Sequence, residues 1–243
     1  MKSKLLFSVM LAILIIGFNF VQAQNQEGSK SNVPEGASNF YKNLFGLNES
    51  SRGATDALVY IDFAFQNDFV VAGLTNLGFS VTVAISWADF DIKLSSGSYG
   101  LAVAFDQGYG GLPTYSIVQN FINSGGCMIF ADWTCNNTFA GLFEASFTFA
   151  NNQPQFTLTD TELASGVTNP VILTNPGYNI VYSSGLTAIG CGQSLGTFPN
   201  GDAAIVRGNN AHTIILGYLS DTPPFAERQQ LFENVIRATF CGL

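Results

Sequence analysis

Apolar residues along this chain fall into two rhythms. Short, nearly unbroken apolar runs recur at residues 57–63, 80–86, 100–106 and 127–132. A run of this length suits a strand buried on both faces, as in a parallel sheet. Between the runs lie stretches with helical spacing at 67–77, 87–96 and 114–124, closed by glycines such as Gly78 and the pair Gly125, Gly126. Asn67-Asp68 supplies an N-cap, and a glycine after the last periodic residue is a helix stop. Strand and helix therefore alternate from residue 57 to residue 132. That order predicts an α/β domain with a doubly wound, flavodoxin-like, mostly parallel sheet. The unit at 98–134 organises the rest: strand, glycine loop, helix, glycine turn, strand, with a right-handed crossover.

The second half reads differently. Residues 137–145 suggest a short helix. Residues 147–150 and 155–159 flank Asn151-Asn152-Gln153-Pro154 and read as a β-hairpin. Short strands follow at 187–191, 203–207 and 213–218, with turn dipeptides Asn200-Gly201 and Asn209-Asn210 between them. A final helix at 224–239 repeats Phe225, Leu231, Phe232, Val235, Ile236 and Phe240 at helical spacing, so that face should pack on the sheet. The expectation is a parallel sheet with a β-hairpin addition.

The N-terminus has its own signature. Lys2 and Lys4 precede an apolar stretch at 5–20, and Val21-Gln22-Ala23 ends it as a cleavage site. Residues 1–23 thus read as a secretory signal peptide. Residues 24–56 read as a flexible polar leader with one helical turn near 39–45, and residues 57–243 as the domain. The expected location is secreted, periplasmic or extracellular. No later stretch reaches the roughly 20 apolar residues of a bilayer span, so no membrane insertion is expected.

Charge narrows the partners. The chain holds nine Lys and Arg against 17 Asp and Glu, a net charge of −8. It lacks the basic footprint of a nucleic-acid binder or of an anionic lipid surface. Cysteines stand at Cys127, Cys135, Cys191 and Cys241, and export permits disulfides among them, with three pairings open. With His212 the sole histidine, a Cys/His zinc site is not expected.

Three carboxylates are the candidate site. Asp62, Asp106 and Asp132 each end one of the predicted strands. With strand order 2-1-3-4 these ends are neighbours at the topological switch point, where open α/β sheets bind ligands. Such a trio can hold Ca²⁺ or Mg²⁺ through hard oxygen ligands, or accept hydrogen bonds from sugar hydroxyls. The structural alternative is that the aspartates cap neighbouring loops. Tyr109 and Trp133, with Trp87, lie on the loops beside them and suit stacking on a sugar ring; buried edge packing is the alternative. Gly108 to Gly111 can bring amides near an anion, or simply let chains approach closely. Gly192-Gln193-Ser194-Leu195-Gly196 matches G-x-S-x-G, with Asp202 and His212 downstream. A turn rather than a helix follows Ser194, which argues against a nucleophile elbow.

The order of these features resembles the class I glutamine amidotransferase-like superfamily and its ThuA-like members. The resemblance is carried by Asp62 after the first strand, by Ser98-Tyr99-Gly100 leading the third, and by the helix at 117–121 with Asn123-Ser124-Gly125-Gly126. It continues through Asp160-Thr161-Glu162-Leu163-Ala164-Ser165-Gly166-Val167, Ala204-Ile205-Val206, the strand at 212–217 and the last helix. The family's nucleophilic cysteine falls here on Asp132 or Trp133, and its histidine and acid fall near Tyr218 to Asp221, where no histidine stands. The resemblance thus implies the fold without the amidotransferase triad. The expected role is a secreted, non-catalytic binding or scaffold module for a glycan or cell-surface protein. The alternatives are a hydrolase rebuilt at the aspartates or at Ser194, and a purely structural part.

Overall fold

The computed structural model describes residues 53–65, 68–108, 110–149, 152–178 and 182–239. The signal peptide, residues 24–52 of the leader with its helical turn, Tyr109 and Cys241 lie outside the described residues, whereas residues 53–56, expected in the leader, already belong to the first strand. The first half follows the alternation of the sequence. Strand β1 (Gly53–Ile61) leads to helix α1 (Asp68–Asn76), β2 (Ser80–Val83), α2 (Trp87–Ser95), β3 (Tyr99–Asp106), α3 (Tyr115–Asn123) and β4 (Cys127–Asp132). After a short α4 (Asn137–Ala140) and a 3₁₀ turn (Gly141–Phe143) come β5 (Ala145–Phe147), β6 (Gln155–Leu158), β7 (Val171–Ile172), β8 (Leu186–Ala188), β9 (Gln193–Thr197), β10 (Ala203–Gly208) and β11 (Thr213–Leu216). Helix α5 (Arg228–Arg237) ends the described chain.

The strands lie in the order β2-β1-β3-β4-β11-β10-β9-β6-β7, with β8 joining β10 and β5 joining β8. Strands β2, β1, β3, β4 and β11 are mutually parallel. From β11 onward the pairings are antiparallel. The predicted neighbourhood of strands one, three and four is thus present, as is the antiparallel addition.

The turn residues explain the junctions. Gly78 adopts φ 85° directly after α1 and its following turn, a conformation that suits glycine. Asn209 and Asn210 both take positive φ, 51° and 53°, which closes β10 onto β11. The expected hairpin across Asn151 to Pro154 is not formed. Strand β5 pairs instead with β8, and β6 pairs with β9. Both need longer-range partners because each has one buried face to cover.

Side chains alternate across the sheet and build two cores. Leu101, Val103 and Phe105 of β3 pack with α1 and α5, against Phe69, Leu74, Leu231, Phe232 and Ile236. Ala102 and Ala104 face the other side, where Phe90, Leu94, Val118 and Phe121 of α2 and α3 cover them together with Met128 and Phe130. Each fully buried Leu or Phe here contributes about 1.5–3 kcal/mol relative to exposure. Phe130 stacks on Phe143 at 5.1 Å and joins the 3₁₀ turn to the sheet. No helix among the described residues is long and apolar enough to cross a membrane.

Candidate functional site

Parallel strands deliver their carboxyl ends to one edge. Asp106 stands opposite Asp132 in the β3–β4 register, and the amide of Asp62 donates to Phe105 O at 3.1 Å. The structure therefore brings the three predicted aspartates together, and it gives each different work.

Asp132 serves its own turn. Its Oδ1 accepts the amide and hydroxyl of Thr134 at 2.7 and 2.5 Å, and its Oδ2 accepts the amide of Asn136 at 2.7 Å. Asp62 Oδ1 accepts the amide of Gln107 at 2.7 Å. Asp106 is fully buried; its Oδ1 meets only a long bond from Gly111 N at 3.5 Å, and its Oδ2 lacks a hydrogen bond of ordinary length. Burial first, then the Asp62 carboxyl and the Asp132 charge, push Asp106 up to about 8. Asp106 is accordingly a neutral acid at neutral pH. The same charges of Asp62 and Asp106, after burial, raise the phenol of Tyr60. Among the described residues, no group of three or more His, Cys, Asp or Glu is arranged to hold a metal ion.

The open space lies beside the aspartates. A cleft of about 320 Å³ is lined by Phe63, Phe65, Gln107, Gly108, Trp133, Gly177, Tyr178 and Tyr182. Phe63, Gln107 and Trp133 are the residues that directly follow the three aspartates. The residues that follow the aspartates line the cleft, and Asp62 stands near enough for its charge to act on Tyr178.

Buried polar groups hold the cleft walls. Gln107 donates from Nε2 to Phe63 O at 3.0 Å, and its Oε1 accepts the amide and hydroxyl of Ser220 at 2.7 and 2.8 Å. That one side chain ties the ends of β1, β3 and β11. Asp221, fully buried, accepts the amide of Phe65 at 3.1 Å and the hydroxyl of Tyr178 at 3.1 Å. Burial raises the Asp221 carboxyl, and the nearby charge of Arg228 partly offsets this. The Tyr178 phenol is held far above its ordinary value by burial and by the charge of Asp221. The rings meet edge to face: Phe65 with Tyr178 at 4.9 Å, Tyr178 with Tyr182 at 5.6 Å, Trp133 with Tyr182 at 6.4 Å.

The remaining sequence candidates have structural work. Trp87 opens α2 and packs edge-on against Tyr60 at 4.5 Å, away from the cleft. The glycine loop exists for close approach: a Cβ at Gly108 would stand 2.7 Å from Phe63, and one at Gly111 would stand 2.5 Å from the Trp87 indole. Ser194 lies within strand β9, its hydroxyl on Gly196 O at 3.1 Å. Asp202 is engaged by Thr148 and Asn200, and His212 Nδ1 stands 3.7 Å from Cys127 Sγ. None of these bonds joins one of the three to another. Cys135 and Cys191 are free thiols, and burial, then the Asp132 charge, push Cys135 up to about 11, which leaves it a poor nucleophile.

Solved structures share this architecture. A ThuA-like protein from Bacteroides uniformis superposes with a TM-score of 0.53 at 11% identity, over 79% of this chain and 93% of that one. A glutamine amidotransferase from Thermotoga maritima superposes at 0.50 with 7% identity, over 69% and 76%. The fold is that of the class I glutamine amidotransferases. A β-galactosidase from Rahnella sp. R3 also contains it: the TM-score is 0.52 at 12% identity, over 76% of this chain and 30% of that one. No protein-family model matches the sequence, and no curated protein is significantly similar to it. In this amidotransferase-like fold the turn after β4 presents Asp132 and Trp133, and the segment after β11 presents Tyr218 to Asp221. Sequence reasoning found Trp133 but passed over Gln107, Tyr178, Tyr182 and Asp221 as site residues. The only signal for the first was its place directly after a strand-end aspartate.

Proposed function

We propose that this chain is an exported, non-catalytic binding module whose strand-end cleft holds a carbohydrate ring of a glycan or cell-surface partner. The observation that carries this reading is the lining of the cleft: five aromatic rings and an amide around about 320 Å³. Ring faces suit the apolar faces of a sugar, and a lining that mixes rings with polar surface suits a ligand with both apolar faces and hydroxyls. Asp62, half-buried at the rim, can accept sugar hydroxyls. The fold alone carries no activity, since function resides in the site rather than the architecture.

Calorimetric titration of the purified protein with a panel of neutral, amino and uronic oligosaccharides tests this. Saturable binding that is lost in Trp133→Ala, with unchanged circular dichroism, is the expected result. A correctly folded protein that binds no oligosaccharide in the panel overturns it.

A further inference from the structure

The carbohydrate reading leaves open which sugars the cleft accepts, and the charges around it bear on that. We propose that the cleft selects a positively charged ligand, a sugar bearing a free ammonium group, over neutral and anionic sugars. This inference rests on the reading of the cleft as a sugar site.

Among the described residues, no basic side chain lines the cleft. The described cations are engaged elsewhere. Lys93 pairs with Asp89, and Arg237 with Glu233. Arg207 bonds Gln193, and Arg228 is buried against the rings of Phe69 and Phe225. Negative charge does reach the lining. The carboxylate of Asp62 acts on Tyr178 in the cleft wall. An anionic sugar would enter this field without a partner, whereas an ammonium group would gain from it.

The rings add a second attraction. Phe65 with Tyr178 and Tyr178 with Tyr182 both stand at 85°, and Trp133 with Tyr182 at 81°. Successive rings at right angles present faces in more than one direction. That is the geometry in which several faces can surround one cation, each attracting it through its quadrupole. The amide of Gln107, by contrast, is committed to Phe63 and Ser220, so its oxygen is already taken by two donors. The lining therefore recognises charge and ring surface more than a pattern of hydroxyls.

The test is titration at about pH 6 with three tetrasaccharides: glucosamine, N-acetylglucosamine and galacturonate. The expected result is at least about tenfold tighter binding of the glucosamine tetramer than of its N-acetylated counterpart, with no binding of the uronate. The preference should shrink with added salt and fall in Asp62→Asn. In parallel, benzyltrimethylammonium should quench tryptophan fluorescence in the parent and not in Trp133→Phe. Equal binding of the amino and N-acetyl tetramers overturns this inference and leaves the carbohydrate reading standing. Quenching by the ammonium probe without binding of any sugar supports the cation site and removes the carbohydrate reading. Absence of both overturns both.

Discussion

The hydroxyl of Tyr178 donates to the buried carboxylate of Asp221 at 3.1 Å, across 43 residues of chain. The same carboxylate accepts the amide of Phe65 at 3.1 Å, so one side chain holds two rings of the cleft from two separate loops. Arg228 lends it positive charge from α5. Removing a carboxylate from such a buried set leaves the Phe65 amide and the Tyr178 phenol short of a partner. We expect Asp221→Ala to lose about 3 kcal/mol of stability, and Tyr178→Phe to lose about 1 kcal/mol. Urea unfolding measures both. An Asp221→Ala protein within 1 kcal/mol of the parent would remove Asp221 from this role.

Asp106 sets a pH dependence whose sign can be worked out. Its folded-state value is raised to about 8, against roughly 3.9 for an unfolded aspartate. The folded state then holds its proton more tightly than the unfolded state. Its contribution to stability is fully present below about pH 4 and is lost as pH rises through about 8. An asparagine at this position carries no charge to desolvate. Asp106→Asn should therefore gain on the parent as pH rises from 5 to 8, in paired thermal melts. A stability difference that stays flat across that range would show that Asp106 ionises normally.

The first half of the fold was legible because its signal is local. A run such as Ala102-Val103-Ala104-Phe105 is too short for a helix and suits a doubly buried strand, and Gly125-Gly126 marks the end of the helix before it. The second half was harder because its strands are short and half-exposed. Strand β9, Gln193–Thr197, carries two exposed polar residues and reads in sequence as part of a G-x-S-x-G motif rather than as a strand. The edge where the cleft lies was legible, because Asp62, Asp106 and Asp132 mark the strand ends, but the residues that line the cleft are the next along the chain, Phe63, Gln107 and Trp133. Tyr178, Tyr182 and Asp221 come from loops that no local pattern distinguishes. Only the tertiary fold brings them to the same edge.

The cysteines give a prediction about redox state. Cys135 and Cys191 are free. Cys127 lies buried at the start of β4 and is disulfide-bonded. Unfolded, unreduced protein should then show two reactive thiols. In the native state Cys191, which is exposed, should react first with a thiol reagent. Cys135 should lag, because its thiol is pushed up to about 11 and little thiolate is present at neutral pH. Four reactive thiols in the unreduced protein would dismiss the pairing.

Asp132 separates structural work from ligand work at this edge. Both of its oxygens are occupied by Thr134 and Asn136, in the turn that leads from β4 into α4. Asn136 then caps α4 by accepting the amide of Phe139 at 3.1 Å. A carboxylate already accepting three hydrogen bonds has little to offer a cation, and Asp106 beside it is held as a neutral acid by its surroundings. We expect Asp132→Ala to lose about 2 kcal/mol of stability, with the affinity of the remaining folded protein for its ligand unchanged. We also expect no saturable heat on titration with Ca²⁺ or Mg²⁺. A stable Asp132→Ala protein that has lost sugar binding would place Asp132 in the site. Stoichiometric calcium binding abolished by that substitution would make it a metal ligand, and the strand ends would then need to rearrange to release its oxygens from the turn.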